Sequence, residues 1–472
     1  MTSTVSADFQ GKHVTVAGLG VSGIPAAKVL HARGALVTVV NDGDDARARE
    51  QAAELEALGI TVRLGDGRTL PEGTELVVTS PGWKPGSPLF EAAREAGVEV
   101  WGDVELAWRL RGPDAAPWLA ITGTNGKTTT TQMLASILKA AGLRTAAVGN
   151  IGISVLDAVL GEERYDVLAV ELSSYQLHWA PSVRAHSAAV LNLAPDHLDW
   201  HGSMEAYARD KGRVYEGNRV ACVYNVADKA TEDLVREADV EEGCRAIGFT
   251  LGSPGPSQLG VVDGILVDRA FVENRQKNAQ ELAEVSDVNP PAPHNIANAL
   301  AAAALARAFG VPAKAVRDGL RAFTPDAHRI AHVADVDGVA YVDDSKATNT
   351  HAAEASLAAY ESIVWIAGGL AKGASFDELV AKSAKRLRGV VLIGADRALI
   401  REALARHAPE VPVVDLDRTD TGAMLQAVTE AKRLAQPGDT VLLAPACASM
   451  DMFTNYNKRG DAFAEAVREL GS

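Results

Sequence analysis

The stretch Trp118-Leu-Ala-Ile-Thr-Gly-Thr-Asn-Gly-Lys-Thr-Thr129 combines an apolar run, a glycine turn and the start of a helical pattern. The apolar run 118–122 predicts a buried strand, and the pattern from Lys127 to Ala141 predicts the helix after it. Glycines let backbone N–H groups turn toward an anion, and the positive end of the helix dipole points at the same place. Strand, loop and helix in this order therefore predict an α/β unit with a phosphate site.

The side chains of this loop are those that a nucleoside triphosphate needs. Lys127 can reach the β- and γ-phosphates, and the Thr128 hydroxyl can bind Mg²⁺. Only two residues separate Gly123 from Gly126, so the spacing is shorter than that of Gly-x-x-x-x-Gly-Lys loops. The alternative to a phosphate site is a glycine turn with a solvated lysine. The strand and helix around the loop favour ATP, and we predict contacts to it from the whole loop: Gly123, Thr124, Asn125, Gly126, Lys127, Thr128 and Thr129.

Acidic residues and a histidine follow two more predicted strands of the same block. Glu171 ends the strand 166–171, and Asp196-His197-Leu-Asp199 follows the strand 188–192. The carboxyl ends of neighbouring parallel strands line one crevice, so these side chains should lie near the phosphate loop. We predict that Glu171 binds the metal ion. For His197 a metal or general-base role and a purely structural role both remain open.

Apolar runs and helical patterns alternate through the chain in three blocks, separated by the polar and proline-containing segments 111–117 and 324–326. We predict an α/β protein of three domains, residues 1–116, 117–325 and 326–472. Each is a mostly parallel, doubly wound sheet with helices: Rossmann-like at the N terminus, P-loop-type in the centre and Rossmann-like at the C terminus. Other predicted elements are strands at 13–17, 36–40, 76–79, 98–100, 145–148, 220–225, 339–342, 363–367, 390–393, 411–414 and 440–443, and helices at 25–33, 294–309, 376–387 and 422–434.

The first block carries a second nucleotide signature. Gly18-Leu-Gly20-Val-Ser-Gly23 follows a predicted strand, and Asn41-Asp42 lies about 20 residues further on. Taken alone, this pattern predicts a nicotinamide or flavin dinucleotide. Its physics requires only a diphosphate at a helix N-terminus, so a UDP group fits equally well.

Composition narrows the function classes. The chain has 472 residues and a net charge of −15, which argues against broad nucleic-acid binding. The three cysteines have no metal-like spacing. The N-terminus shows neither the basic start nor the apolar core of a signal peptide, and no apolar run reaches the roughly 18 residues of a membrane span. We expect a cytoplasmic protein that binds neither nucleic acid nor membrane.

These motifs together resemble the Mur ligases of bacterial cell-wall synthesis, over essentially the whole chain. Two C-terminal segments, Asp344-Ser-Lys-Ala-Thr-Asn349 and Ala446-Cys-Ala-Ser449, point to the branch of that family that adds D-glutamate. The other segments that carry the resemblance are the two glycine turns, Ser80-Pro-Gly82, Gly149-Asn-Ile-Gly152, Glu171-Leu-Ser-Ser-Tyr-Gln176, His294-Asn-Ile-Ala-Asn298 and His328-Arg329.

The resemblance implies an ATP-dependent ligase that adds D-glutamate to UDP-N-acetylmuramoyl-L-alanine. ATP would phosphorylate the substrate carboxylate, and the D-glutamate amine would displace phosphate from the acyl phosphate. Two Mg²⁺ sites are implied, with Mn²⁺ as a substitute, and CO₂ is implied because Lys211 is carbamylated in the family.

The resemblance also assigns roles to individual residues. The catalytic residues it implies are Lys127, His197, Lys211 and Lys346. The metal ligands are Thr128, Glu171, His197 and carbamylated Lys211. Further ATP contacts are Asn298, Arg329 and Asp344. The UDP-substrate contacts are Gly20, Val21, Ser22, Asn41, Asp42, Ser80 and Asn150. The D-glutamate contacts are Thr348, Lys372, Ser449, Met450 and Tyr456.

This sequence departs from the family pattern at a few of these positions. Asn41 stands where the family often has an aspartate for the uracil, and Asp42 follows it, so the uracil contact is uncertain by one residue. Met450 and Tyr456 stand where other members carry Leu and Phe.

Three alternative functions remain: a ligase of the same fold for another amino acid, a nicotinamide dehydrogenase, and a nucleotide-binding switch. We expect a monomer.

Overall fold

The computed structural model describes residues 8–418, 420 and 422–470. The chain forms two compact units. Residues up to Val288 together with Ile296–Phe323 form the first, and Asn289–Asn295 together with the chain from Thr324 onward form the second. The first unit contains two β-sheets and the second contains one, so the predicted α/β class with three mostly parallel sheets is confirmed.

The first sheet is wholly parallel, with the order β3-β2-β1-β4-β5. Its strands are β1 (His13–Ala17), β2 (Leu36–Asn41), β3 (Thr61–Leu64), β4 (Leu76–Thr79) and β5 (Glu99–Gly102). Its helices are α1 (Gly23–Ala32), α2 (Ala46–Glu56), α3 (Pro88–Glu95) and α4 (Asp103–Leu110). The order reverses beside β1, so the glycine turn after β1 lies at the switch point where open α/β sheets bind ligands.

The second sheet has nine strands in the order β14-β13-β12-β11-β10-β9-β6-β8-β7. The strands are β6 (Trp118–Thr122), β7 (Ala147–Gly149), β8 (Leu168–Glu171), β9 (Ser187–Val190), β10 (Ala221–Asn225), β11 (Arg245–Phe249), β12 (Gln258–Val262), β13 (Ile265–Asp268) and β14 (Gln280–Glu284). Only the pairs β12–β13 and β13–β14 are antiparallel. β6 lies between β8 and β9, which brings the ends of these three strands to one edge.

The helices of this region cover both faces of the sheet. They are α5 (Lys127–Ala140), α6 (Val155–Leu160), α7 (Ser174–His178), α8 (Leu198–His201), α9 (Met204–Gly212), α10 (Lys229–Glu237), α11 (Pro293–Ala308) and α12 (Ala313–Ala322). The alanine-rich run 299–306 of α11 is fully buried. Burial of alanine costs no side-chain rotamer entropy, so this run is buried without that penalty.

The third sheet has the order β15-β16-β20-β17-β18-β19, and only β15 is antiparallel to its neighbour. Its strands are β15 (Ala331–Val336), β16 (Val339–Asp343), β17 (Ile363–Gly368), β18 (Leu387–Ile393), β19 (Val413–Asp415) and β20 (Thr440–Leu443). Its helices are α13 (Thr350–Ala358), α14 (Asp377–Ser383), α15 (Arg397–His407), α16 (Ala423–Leu434) and α17 (Tyr456–Leu470).

Several predicted elements differ from the structure in their bounds. The helix predicted over 376–387 ends at Ser383, and a 3₁₀ turn at Ala384–Arg386 leads into β18, which begins at Leu387. The strand predicted over 145–148 is the short β7 at 147–149. Within the parts of the chain that the structure describes, no helix is long and apolar enough to cross a membrane.

Candidate functional site

The phosphate loop joins β6 to α5, and two of its residues must be glycine. Gly123 and Gly126 have φ of +153° and +82°, in the region that disfavours residues with a Cβ. A Cβ on Gly126 would lie 2.4 Å from the Asn298 side-chain oxygen. The predicted ATP contact Asn298 therefore packs directly against the loop.

Side chains and backbone beyond β9 hold the loop in place. Asn192 accepts from the Asn125 N–H at 2.8 Å, and its amide donates to the Asn125 carbonyl at 3.1 Å. The Thr124 hydroxyl lies 2.9 Å from the Tyr207 hydroxyl and accepts from the Ala194 N–H at 3.0 Å. The loop is thus fixed by hydrogen bonds on both sides of its turn, which preorganises its N–H groups.

Two lysines converge on one carbonyl of this loop. Lys127 donates to the carbonyl oxygens of Gly123 and Thr124, both at 2.9 Å. Lys211, on α9, also donates to the Gly123 carbonyl, at 2.8 Å. The sequence predicted the first lysine from the loop itself, and the fold brings the second from 84 residues further along the chain.

Lys211 is an unusual lysine because it is almost fully buried, with 2% of its surface exposed. Burial and the positive charge of Lys127 hold its pKa well below the ordinary value, although Asp196 and Glu171 act in the opposite direction. Its ammonium also lies 4.7 Å from the Tyr207 ring centroid. A lowered pKa leaves more of the group as the neutral amine, which is the nucleophilic form.

Glu171 ends β8 with its side chain buried at 1% exposure. Its Oε1 accepts from the Asn150 amide at 2.9 Å, whereas its Oε2 is buried without a hydrogen-bond partner. A buried carboxylate oxygen without a donor is costly unless a cation binds it. The donor set therefore fits Mg²⁺, which prefers a few carboxylate and hydroxyl oxygens together with phosphate.

His197 precedes α8 in a left-handed conformation with φ of 54°. Its Nε2 lies 3.5 Å from an Asp196 carboxylate oxygen, and its ring packs against Tyr175 with centroids 4.9 Å apart. Burial lowers the pKa of His197, and the charges of Lys127 and Lys211 lower it further against the effect of Asp196. The neutral imidazole favoured in this way is the form that binds a metal ion. Among residues 8–418, 420 and 422–470, no three His, Cys, Asp or Glu side chains form a metal-binding group by themselves.

Sequence reasoning missed an acid that ties the helices of the site together. Asp210 on α9 is hydrogen-bonded to His178 at 2.9 Å and to His201 at 3.0 Å. Burial alone would raise the pKa of Asp210, but the hydrogen bonds from the two histidines outweigh it and lower the pKa to about 2. This carboxylate joins α7, α8 and α9, and it directly precedes Lys211. Only the three-dimensional structure reveals it, because the three residues are up to 32 positions apart.

Of the predicted UDP-substrate residues, Gly20, Val21, Ser22, Asn41 and Ser80 lie in or next to the glycine turn after β1, whereas Asn150 lies next to Glu171. The Leu19 N–H donates to the Asn41 side-chain oxygen at 3.2 Å, so Asn41 supports the turn itself. The Ser22 hydroxyl donates to Asp103 at 2.8 Å, and Ser80 lies beneath the turn with its hydroxyl buried. Val21 is 87% exposed at the tip of the turn. Asp103 was not predicted from the sequence.

The second unit brings three loops together at the carboxyl ends of β16, β17 and β20. The Ala446 N–H donates to the Ala347 carbonyl at 2.9 Å. Leu370 and Ala448 exchange backbone hydrogen bonds at 2.9 and 3.0 Å. These bonds place the loops that carry the predicted D-glutamate residues Thr348, Lys372 and Ser449 side by side.

The other predicted residues of the second unit lie on the same loops or next to them. Asp344 is buried and accepts a hydrogen bond from Ser356; burial raises its pKa to about 6, against the effects of Ser356 and Arg329. The Lys346 ammonium lies 4.0 Å from the Tyr456 ring centroid. Met450, a predicted D-glutamate contact, is 65% exposed.

A buried arginine that the sequence analysis missed connects two of these loops. Arg459 on α17 is 1% exposed and donates to the Ser345 hydroxyl at 3.0 Å, the Ser345 carbonyl at 2.9 Å and the Cys447 carbonyl at 3.1 Å. Burial lowers its pKa to about 10. These hydrogen bonds fix the spacing between the Asp344–Asn349 loop and the Ala446–Ser449 loop.

Comparisons with known protein families find matches along most of the chain. Three family models match: the Mur ligase MurD-like N-terminal domain at residues 12–102, the Mur ligase middle domain at 121–306, and the Mur ligase glutamate ligase domain at 328–447. The first match ends before the phosphate loop, and the second match begins in β6 and contains that loop. The third match contains the loops after β16 and β17 and ends at residue 447, within the loop after β20.

Individual relatives cover nearly the whole chain. The UDP-N-acetylmuramoylalanine–D-glutamate ligase of Streptomyces coelicolor is 88% identical over 98% of this chain and 99% of its own length. The enzyme of the same name from Thermobifida fusca is 61% identical over 98% of this chain and 99% of its own length. Among solved structures, the MurF ligase of Thermotoga maritima in complex with ADP has a TM-score of 0.56 at 15% identity, covering 100% of this chain and 99% of that chain, which shows the likeness of the fold.

Proposed function

Because the chain belongs to the Mur ligase family, we propose that it uses ATP to add D-glutamate to UDP-N-acetylmuramoyl-L-alanine, releasing ADP and phosphate. The reaction would belong to peptidoglycan precursor synthesis in the cytoplasm. The observation that carries the proposal is the convergence of Lys127 and Lys211 on one phosphate loop, with the partnerless Glu171 oxygen at the end of the strand next to β6. The 88% identity to a curated D-glutamate ligase supports the choice of substrates.

In the first step, the substrate carboxylate attacks the γ-phosphorus of ATP, and the bond to the β-phosphate oxygen breaks. Lys127 neutralises the charge that moves onto the β- and γ-phosphate oxygens. The fixed loop N–H groups hold the phosphates in line for attack. Mg²⁺ bound by Thr128 and Glu171 would supply further charge neutralisation. Asn298, Arg329 and Asp344 remain proposed contacts of ATP.

Lys211 has the properties that a carbamylated lysine requires. A neutral amine attacks CO₂ to give a carbamate and one proton, and burial without a carboxylate partner favours that neutral amine. The product is an anion in place of a cation, so it can act with His197 as a ligand of a second Mg²⁺, a position that Mn²⁺ can take. The hydrogen bonds of buried Asp210 with His178 and His201 hold α9, the helix that carries Lys211.

In the second step, the D-glutamate amine attacks the acyl phosphate carbonyl, and phosphate leaves from the tetrahedral intermediate. We propose that Thr348, Lys372 and Ser449 bind the two carboxylates of D-glutamate, with Met450 and Tyr456 beside them. Lys346 would stabilise the charge that develops on the reacting oxygen.

The diphosphate of the nucleotide substrate would lie at the N-terminus of α1. Gly20, Val21, Ser22, Ser80 and Asn150 are its proposed contacts, with the uracil near Asn41 and Asp42. We propose domain boundaries after residues 116 and 325 and a monomeric enzyme.

The test is an omission assay on the purified protein. ADP release should require the UDP-sugar substrate, D-glutamate and Mg²⁺ together, and mass spectrometry should find the substrate extended by one glutamyl residue. ADP release without an amide product would refute the proposal and favour a nucleotide switch. Tight NADH binding without ADP release would favour a dehydrogenase.

A further inference from the structure

A buried carboxyl group lies behind the glycine turn of the first sheet. Asp103 is the first residue of α4, and its Oδ2 accepts from the Ser22 hydroxyl at 2.8 Å. Its Oδ1 is buried without a hydrogen-bond partner, and so is the hydroxyl of Ser80. Both groups are next to the turn, since a Cβ on Gly23 would lie 3.3 Å from the Ser80 hydroxyl oxygen.

The protonation state of this carboxyl decides what Ser22 can offer a ligand. A hydroxyl has one proton to donate. If Asp103 is ionised, that proton goes to the carboxylate, and Ser22 presents only lone pairs to the turn. If Asp103 is neutral, it donates its own proton to the Ser22 oxygen, and the Ser22 proton is free for a phosphate oxygen.

We propose that Asp103 is a positioning residue which, in its neutral form, directs the Ser22 proton to the diphosphate of the nucleotide substrate, so that substrate binding takes up a proton. The inference rests on the proposed function in one respect: it takes the diphosphate of a UDP-sugar as the ligand of the Gly18–Gly23 turn. Asp103 acts only through Ser22 and touches no reacting atom.

The surroundings of Asp103 favour the neutral form. Burial raises the pKa of Asp103 above its ordinary value, and the hydrogen bond from Ser22 acts in the opposite direction. A bound diphosphate would add negative charge nearby and raise the pKa again. The other ionisable groups of α4 and of the elements packed against it have their described partners elsewhere: Glu105 with Arg109 and Ser182, Glu99 with Trp101, Asp157 with Ser154, and His178 with Asp210. Tyr175 of α7 is also ionisable, and its ring packs against His197 and Trp200. On α1, which also packs against α4, the remaining ionisable side chains are Lys28 and His31.

The structural alternative is that Asp103 only stabilises the first turn of α4. An aspartate in the first turn of α4 stabilises the positive end of that helix whether or not a ligand binds. That role needs a carboxylate that stays ionised in both the free and the substrate-bound protein, so it predicts no proton uptake on binding. The two readings therefore differ in a measurable quantity.

The experiment is calorimetric titration of the full-length protein with UDP-N-acetylmuramoyl-L-alanine between pH 6 and pH 9, in pairs of buffers with different ionisation enthalpies. The diphosphate of this ligand is esterified at both ends, so it does not titrate in this range. We expect the wild type to take up protons on binding, with the Kd rising by up to about tenfold per pH unit where uptake is complete. This measurement needs no variant.

Asp103→Asn is the matched variant, because its amide can donate to Ser22 at every pH. Its Kd should stay close to the wild-type value at low pH and should not rise with pH, and its proton uptake should vanish. Absence of uptake in the wild type, or equal uptake in Asp103→Asn, would overturn the inference. The experiment also separates failure of this inference from failure of the ligase proposal. Proton-linked binding without amide formation would refute the ligase proposal and support the role of Asp103. Amide formation without proton uptake would support the ligase proposal and refute the role of Asp103.

Discussion

Replacing Lys211 by alanine tests the least ordinary residue of the site. The change removes three methylenes and the amine from a nearly fully buried position. The Gly123 carbonyl keeps its hydrogen bond from Lys127, so the phosphate loop should retain its form. We expect ligase activity to fall by at least about a hundredfold, because the anionic carbamate can no longer form.

The expected loss of ligase activity follows from the burial of the Lys211 amine. At pH 7.5 an ordinary lysine is about one part in a thousand neutral amine, and each unit by which its pKa falls raises that fraction about tenfold. The low pKa of Lys211 therefore makes reaction with CO₂ favourable at neutral pH. Loss of three buried methylenes should also cost about 2–3 kcal/mol of folding stability, so variant and wild type must be compared below the melting temperature of the variant.

The assay is ADP release with and without short carboxylic acids such as acetate, which can occupy the space of the carbamate. Partial rescue of Lys211→Ala is expected, together with loss of wild-type activity in CO₂-free buffer and its return with bicarbonate. Lys139→Ala, which changes an exposed lysine of α5, is the control and should behave as wild type in every condition. If acids give no rescue and CO₂ removal has no effect, Lys211 is a structural lysine.

Three further substitutions test other parts of the site. Glu171→Gln removes the charge from the partnerless oxygen, and we expect the Mg²⁺ concentration for half-maximal rate to rise at least about tenfold. An unchanged concentration, or an equal rise in the exposed control Glu162→Gln, would exclude Glu171 as a ligand. Asp344 has a raised pKa, so its neutral form favours folding below its unfolded pKa, and this contribution is lost as the pH rises through about 6. In urea unfolding, Asp344→Asn should therefore gain about 3 kcal/mol relative to wild type between pH 3.5 and pH 7, and a pH-independent difference would contradict the assigned burial. Arg459→Met should raise the KM for D-glutamate and lower the melting temperature, because the Ser345 and Cys447 carbonyls lose a donor. Arg459→Lys should restore part of the stability. An unchanged KM in both variants would show that the loops are held by other contacts.

Much of the fold could be predicted from local sequence because each buried parallel strand is an apolar run of four to seven residues. The strands β1, β6 and β17 were located within one residue for this reason. The edge strands β3 and β15 were not predicted, since their exposed faces make the runs polar and irregular. Edge strands carry less of the hydrophobic signal on which such predictions depend.

The residues of the candidate site also differ in how far local sequence indicates them. Lys127 and Glu171 could be predicted because a loop or a strand end dictates their chemistry locally. The role of Lys211 came only from the family resemblance; its burial could not be read from a helix with charged neighbours on both sides. Asp103, Asp210 and Arg459 carry no local signature, because each acts through partners brought close by the fold.

The most direct test of the central claim compares amino acids in the ADP-release assay with UDP-N-acetylmuramoyl-L-alanine as acceptor. D-Glutamate should support turnover and give a product extended by one glutamyl residue, while L-glutamate, L-alanine and diamino acids should give at most a small fraction of that rate. Equal turnover with L-glutamate, or faster turnover with any other amino acid, would contradict the account.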